Sequence, residues 1–288
     1  GAAVAGFNLL IDGVRAAGQH IVEFVNESNE QFEQFDRDAR QAFTLIPGMS
    51  AAMKQSVSAD LREMGVDIGR VSDEYLPAMY QALSLGIPKD NSLDAIRTAS
   101  NAARAANAEL TPTLVTGQSI VNAYGGELYD LTRTYDLLFF AVKNGAVTIE
   151  ELNAGMSEIT SVAGETGISL EDVVSAIIVM TKQGDSFEES SGLISNMLTQ
   201  LSIGGTALGT AFRNAAGTDF RTFIAEGGNL AQALQLIEDH VKATGSTMTE
   251  TLGGDSPFYR DQQAMRGVLE LTGKHMEEFL GWSLQATD

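Results

Sequence analysis

A chain of 288 residues, 44% of them hydrophobic, carries enough apolar surface for one or two cores, which excludes wholesale disorder. The 38 acidic against 18 basic side chains leave a formal charge of −20, a surface that repels phosphate backbones and argues against stable nucleic-acid binding. Cysteine is absent, so disulfides, thiolate nucleophiles and Cys-ligated metals are excluded, and 7% aromatics beside 29 glycines point to a thin core of close-packed Ala, Leu, Ile and Val helices.

The opening Gly1-Ala2-Ala3-Val4-Ala5-Gly6-Phe7 has neither an initiator Met nor the basic region of a signal peptide, and reads as a helix joined in mid-course. The expectation is a fragment of a longer chain, or a processed product. Over residues 7–46, Leu10, Val14, Ala17, Ile21, Val25, Phe32, Phe35, Ala39 and Ala42 recur at helical, near-heptad spacing. This predicts a long amphipathic helix over residues 1–46, either packing on its own domain or forming a coiled-coil seam between copies. Residues 27–38 offer too little apolar surface for a core helix, which favours the seam, with Leu10, Val14, Ile21, Val25, Phe32 and Phe35 as its self-association residues.

Pro47-Gly48 ends that helix, and Ser50 is placed to cap another running through Met53, Val57, Leu61 and Met64. From there residues 47–288 read as a train of short helices stopped by glycine at Gly65, Gly69, Gly86, Gly125-Gly126, Gly145, Gly167, Gly184, Gly204-Gly205 and Gly227-Gly228. Two-residue alternation of convincing length is missing, so no sheet is predicted. Three helix starts share one design: Thr148-Ile149-Glu150-Glu151, Ser169-Leu170-Glu171-Asp172 and Ser186-Phe187-Glu188-Glu189 each follow a glycine with a capping-box signature. They predict helical hairpins in series. Their apolar faces, such as Val173, Val174, Ile177 and Ile178, are too narrow to fold alone and require stacking on neighbours. Residues 244–256 read as a polar loop, after which Pro257 starts a last helical stretch through Met265, Val268, Leu271 and Leu280, with Trp282 as a core or interface anchor.

Chemistry is hard to place on this pattern. His20, His240 and His275 are scattered and form no His-Glu-x-x-His, and Gly204-Gly205-Thr206-Ala207-Leu208-Gly209 imitates a phosphate loop without its Lys or its preceding strand. It reads instead as a tight turn between helices. The paired acids Glu150/Glu151, Glu171/Asp172 and Glu188/Glu189 could serve a hydrolase, but their capping positions already account for them, and a capping acid is expected to be solvated with an ordinary pKa. Neither a catalytic residue, a cofactor nor a metal ligand is assigned. No run approaches the ~18 apolar residues of a membrane span.

Taken in order, Phe43-Thr44-Leu45-Ile46-Pro47-Gly48, then Val71-Ser72-Asp73-Glu74-Tyr75-Leu76-Pro77-Ala78-Met79, the Ala-rich residues 93–110 and Ile120-Val121-Asn122-Ala123-Tyr124 form a recognisable series. It continues with the three capped starts, Gly192-Leu193 with Met197-Leu198, Gly217-Thr218-Asp219-Phe220 and Gly227-Gly228-Asn229-Leu230. This series, over residues 43–281, resembles the core region of phage tail tape measure (minor tail) proteins. No single piece is specific; their order and spacing carry the resemblance. It implies an all-α structural protein in the lumen or at the tip of a virion tail, assembled in the host cytoplasm, that helps set tail length and leaves ahead of the genome. It further implies a homo-oligomer, trimer or hexamer, with tail tube, distal tail, tail-tip hub and assembly chaperone proteins as partners. Residues 1–46 would be the end of a rod and residues 47–288 the helical core region; the long rod itself and a hydrophobic membrane segment are missing from this stretch. Two other readings stay open: a peptidoglycan-cleaving domain of a tail protein, suggested by the carboxylates, and an acidic cytosolic helical scaffold.

Overall fold

Helical periodicity with glycine punctuation produces helices throughout and no strand among the described residues. The computed structural model describes residues 50–52, 55–56, 58–59, 74–126, 128, 130–252 and 259–287. The amphipathic helix expected over residues 1–46, its self-association residues Leu10, Val14, Ile21, Val25, Phe32 and Phe35, and the continuation through Met53, Val57, Leu61 and Met64 lie outside them. The chain divides into two compact units, residues 1–97 and 98–288.

In the first unit, helix α1 (Tyr75–Ser84) buries Tyr75, Ala78, Met79 and Ala82, a stripe at i, i+3, i+4 and i+7. Gly86, at φ 86°, turns the chain toward α2 (Lys89–Ala106), the expected Ala-rich helix, whose residues 98–106 count with the second unit. That helix stops at Asn107, which takes the left-handed conformation (φ 55°) while the Ala108 N–H closes back on the Ala103 carbonyl at 2.8 Å.

The second unit continues with α3 (Leu110–Tyr124), α4 (Leu131–Asn144), α5 (Ile149–Thr166), α6 (Leu170–Lys182), α7 (Phe187–Ser202), α8 (Ala207–Ala216), α9 (Phe220–Ala225), α10 (Leu230–Thr244), α11 (Met248–Thr251), α12 (Tyr259–Leu271) and, after a short 3₁₀ turn (Gly273–His275), α13 (Met276–Thr287). Alternate helices line up. One row of neighbours runs α3, α5, α7, α12; a second runs α4, α6, α13, α10. The serial hairpins therefore zigzag between two rows; α12 extends the first, α13 stands between α6 and α10 in the second, and α8 packs on α7 and α10.

Close approach within the first row depends on glycine. A Cβ on Gly164 of α5 would stand 2.6 Å from the Ala123 carbonyl oxygen of α3, and one on Gly267 of α12 would stand 3.1 Å from the Leu193 carbonyl oxygen of α7. The rows are tied where Tyr135 of α4 lies over Gly117 and donates its hydroxyl to the Thr113 carbonyl of α3 at 3.0 Å.

Two expectations need correction. Helix α6 has no narrow face: Leu170 and every residue from Asp172 to Thr181 are buried, because α4, α5, α7, α12 and α13 surround it. A helix apolar on all sides belongs in the centre of a core. Residues 244–256, read as a loop, contain α11, whose Thr247 and Glu250 form a capping box that the same four-residue signature announces.

Candidate functional site

The three capped starts decide where the charged side chains of the second unit go. In each the N-cap hydroxyl accepts the N3 amide as expected: Thr148 from Glu151 at 3.2 Å, Ser169 from Asp172 at 3.1 Å and Ser186 from Glu189 at 3.1 Å. Only at Thr148 does the N3 acid return the bond, Glu151 Oε2 accepting the Thr148 N–H at 2.8 Å. The other two N3 acids are drawn away to distant helices, and two polar joints result.

The first joint is centred on Asp172, which is 1% exposed. Its carboxylate accepts the Leu230 N–H, at the start of α10, at 2.9 Å and the Ser283 hydroxyl of α13 at 2.6 Å. One side chain of the central helix thus satisfies an orphan amide of a second helix and fastens a third. Burial pushes the Asp172 carboxyl above the ordinary carboxylate range, while the bonds from Ser283 and Leu230 pull the other way. The expectation that all capping acids are solvated with ordinary pKa values therefore fails here. The signal was visible: Asp is one methylene shorter than the Glu of a capping box, and an Asp at N3 is less suited to reach back to its own cap.

The second joint gathers Asp185, Glu189 and Glu270 around the Arg266 guanidinium. Arg266 Nη2 donates to Asp185 Oδ1 at 2.8 Å, Nε to Glu270 Oε1 at 2.6 Å, and Nη1 to Glu189 Oε1. These contacts tie α12 to the turn between α6 and α7, helped by Gln183 Nε2, which donates to the Glu270 carbonyl at 2.8 Å. Arg266 and Glu270 form an i, i+4 pair that the sequence displays, but the partners 77 and 81 residues away leave no local trace.

A third group lies at the end of α6. Trp282 stands edge-on to Phe140 at 5.8 Å, Lys182 sits over its ring at 5.2 Å, and Glu278 accepts from both Lys182 and the indole N–H. The expected anchor role of Trp282 is thus carried by α4 and the end of α6.

Of the paired acids, Glu150/Glu151 stays at the cap of α5 and Glu188 stays exposed; Glu171 reaches Arg133 at 3.2 Å, whose other bond goes to the Ala286 carbonyl at 2.7 Å. The structure does not bring these pairs together. Among the described residues no three His, Asp or Glu side chains are grouped to hold a metal ion. A cavity between α7, α8, α11 and α12, lined by Gln200, Leu208, Leu252, Asp261, Ala264 and Met265, measures about 10 Å³, room for one water. The glycine run at Gly204 is a turn, and Thr206 within it caps α8.

Residues 58–253 match the family described as phage-related minor tail protein. The chain belongs to that family. It is also similar to the "Probable tape measure protein" of Clostridium phage phiCD119, 21% identical over 286 residues, which cover 95% of this chain and 30% of that protein. The chain thus spans about a third of the curated relative's length. No solved structure matches it. In this minor tail protein the family match runs from before α1 to just past α11. It takes in the central helix, the three capped starts and the Asp172 carboxylate, whereas Arg266, Glu270 and Ser283 lie beyond it. Among the described residues no helix of the minor tail protein is long and apolar enough to cross a membrane.

Proposed function

We propose that this chain is the ordered helical segment of a tape measure protein, a structural component of a phage tail that works by packing and not by catalysis. The match of residues 58–253 to the minor tail family carries the reading. The use of the charged side chains supports it: Glu151 closes a cap, and Asp172, Glu189, Arg266 and Glu270 hold helices to one another. In this reading the segment lies in the tail lumen near the tip, takes part in tail assembly and length determination, and leaves with the genome. The net charge of −20 suits a protein that shares a channel with DNA without adhering to it. Residues 1–46 are the end of a rod that joins copies into a trimer or hexamer through Leu10, Val14, Ile21, Val25, Phe32 and Phe35, and residues 47–288 are the core region. Its neighbours are the tail tube, distal tail and tail-tip hub proteins, with assembly chaperones acting beforehand.

Density for this segment inside purified tails is the decisive observation, and tails complete without it end the proposal. Light scattering at several concentrations tests the rod. The mass of a trimer or hexamer is expected, falling to a monomer in Ile21→Asp with helix content kept; an unchanged mass in that variant overturns the seam.

A further inference from the structure

Arg266 leaves an unfinished arrangement of acceptors around itself. Asp185 and Glu270 each give it one oxygen, and the other oxygen of each, Asp185 Oδ2 and Glu270 Oε2, is buried with no hydrogen-bond donor among the described residues. Their side chains are 13% and 15% exposed, so water does not readily supply the missing donor. The two carboxyls bond the same guanidinium, Asp185 through Nη2 and Glu270 through Nε, which holds them in one joint. With all three acids ionised the joint would hold three negative charges against one positive, with two bare acceptors buried in it.

We propose that Glu270 keeps its proton in the folded chain and donates it to the stranded Asp185 oxygen, and that this proton makes the joint between the α6–α7 turn and α12 a pH-responsive latch. One proton satisfies both stranded oxygens, removes one negative charge and leaves Arg266 all its bonds. Burial, and then the facing Asp185, push the Glu270 carboxyl up to about 7 against the opposing pull of Arg266. Other charged groups on the elements packed against α12 are Glu188 and Glu189 on α7, Glu171, Asp172 and Lys182 on α6, Arg213 on α8, and Lys274 and His275 in the 3₁₀ turn. Glu189 enters through Arg266, whereas Lys182 is engaged by Glu278 and Asp172 by Leu230 and Ser283. Because the folded acid holds its proton more tightly than the unfolded one, the stabilisation is complete below the ordinary Glu range near 4.5 and is lost as pH rises through about 7. Above that, the charged pair repels across the seam and α12 is held by its apolar face, the Gln183 bond and what remains of Arg266.

The test is a titration of the full chain with ¹³C-labelled Glu carboxyls, read by NMR. One resonance is expected to titrate near 7, to vanish in Glu270→Gln, and to fall toward the ordinary carboxylate range in Asp185→Asn, whose amide supplies a permanent donor. If every Glu titrates in the ordinary range, or the high midpoint survives Asp185→Asn, the retained proton is refuted. The latch is read by hydrogen exchange of the α12 amides, corrected for the intrinsic pH dependence. Protection in the parent chain should fall by about tenfold between about pH 6 and about pH 8, the full effect of a folded pKa near 7, and stay level in Glu270→Gln, whose amide imitates the protonated acid. Equal profiles in the two proteins refute the latch even where the titration succeeds.

Discussion

Replacing Asp172 by Ala takes one acceptor away from two donors, the Leu230 amide at 2.9 Å and the Ser283 hydroxyl at 2.6 Å, both in the interior. A buried donor left without a partner costs ~1–3 kcal/mol, so the two together cost ~2–6 kcal/mol. Removing a carboxylate whose burial already raises its pKa gives part of this back, and the expected net loss is about 2–4 kcal/mol. Asp172→Asn makes a sharper comparison. Its amide oxygen can still accept from Leu230 and its N–H can donate to Ser283 Oγ, so the loss should stay within about 1 kcal/mol. The assay is urea unfolding followed by fluorescence of Trp282, the one tryptophan of the chain, which sits on the helix that Asp172 fastens. The pH dependence carries a sign. With a folded pKa above the ordinary 3.8, the folded chain binds more protons than the unfolded one between those two values. Acidification across that window therefore stabilises the parent chain relative to Asp172→Asn, and the relative gain stops near 3.8. An Ala variant within about 0.5 kcal/mol of the parent, or an Asn variant as weak as the Ala one, would refute the assignment of Asp172 as the shared acceptor.

Gly164→Val should open the crossing of α5 on α3, since even its Cβ meets the Ala123 carbonyl oxygen at 2.6 Å; a loss of about 1–3 kcal/mol in thermal or urea unfolding is expected. Phe212→Ala removes a fully buried ring that stands edge-on to Phe220 at 5.4 Å and Phe223 at 5.3 Å, and should cost about 3–5 kcal/mol by the same measurement. Thr148→Ala breaks a solvent-exposed capping box and should cost only ~1 kcal/mol, with exchange protection reduced in the first turn of α5 alone.

Those contrasts mark where the sequence could be read and where it could not. Thr148, Ser169 and Ser186 announce their helices because a hydroxyl followed three residues later by an acid acts through bonds that close within one turn. The same locality made Thr247 and Glu250 readable in principle, although the surrounding glycines and polar residues hid them. The distant partners in the joints were not legible, because Ser283 meets Asp172 across 111 residues and Arg266 meets Asp185 across 81, distances at which a single sequence holds no pattern. The burial of α6 was half legible. From Val173 to Met180, Ser175 is the one polar side chain, yet a search for one stripe finds one, at Val173, Val174, Ile177 and Ile178.

The position of α13 has a consequence for how the chain is made. Helix α6 is covered on one side by α13, so the residue that locks Asp172 is synthesised 111 residues after it. At ~5–20 residues per second, roughly 5 to 20 s pass in which this largely apolar helix is without its full cover. Hairpins α3 to α7 can form from local contacts during that interval, but the second row stays open at α6 until translation passes Ser283. A ribosome-bound chain of this kind is most vulnerable to aggregation between the synthesis of α6 and that of α13, and a binder that holds the open row during those seconds would protect it more than one that acts once the row is closed.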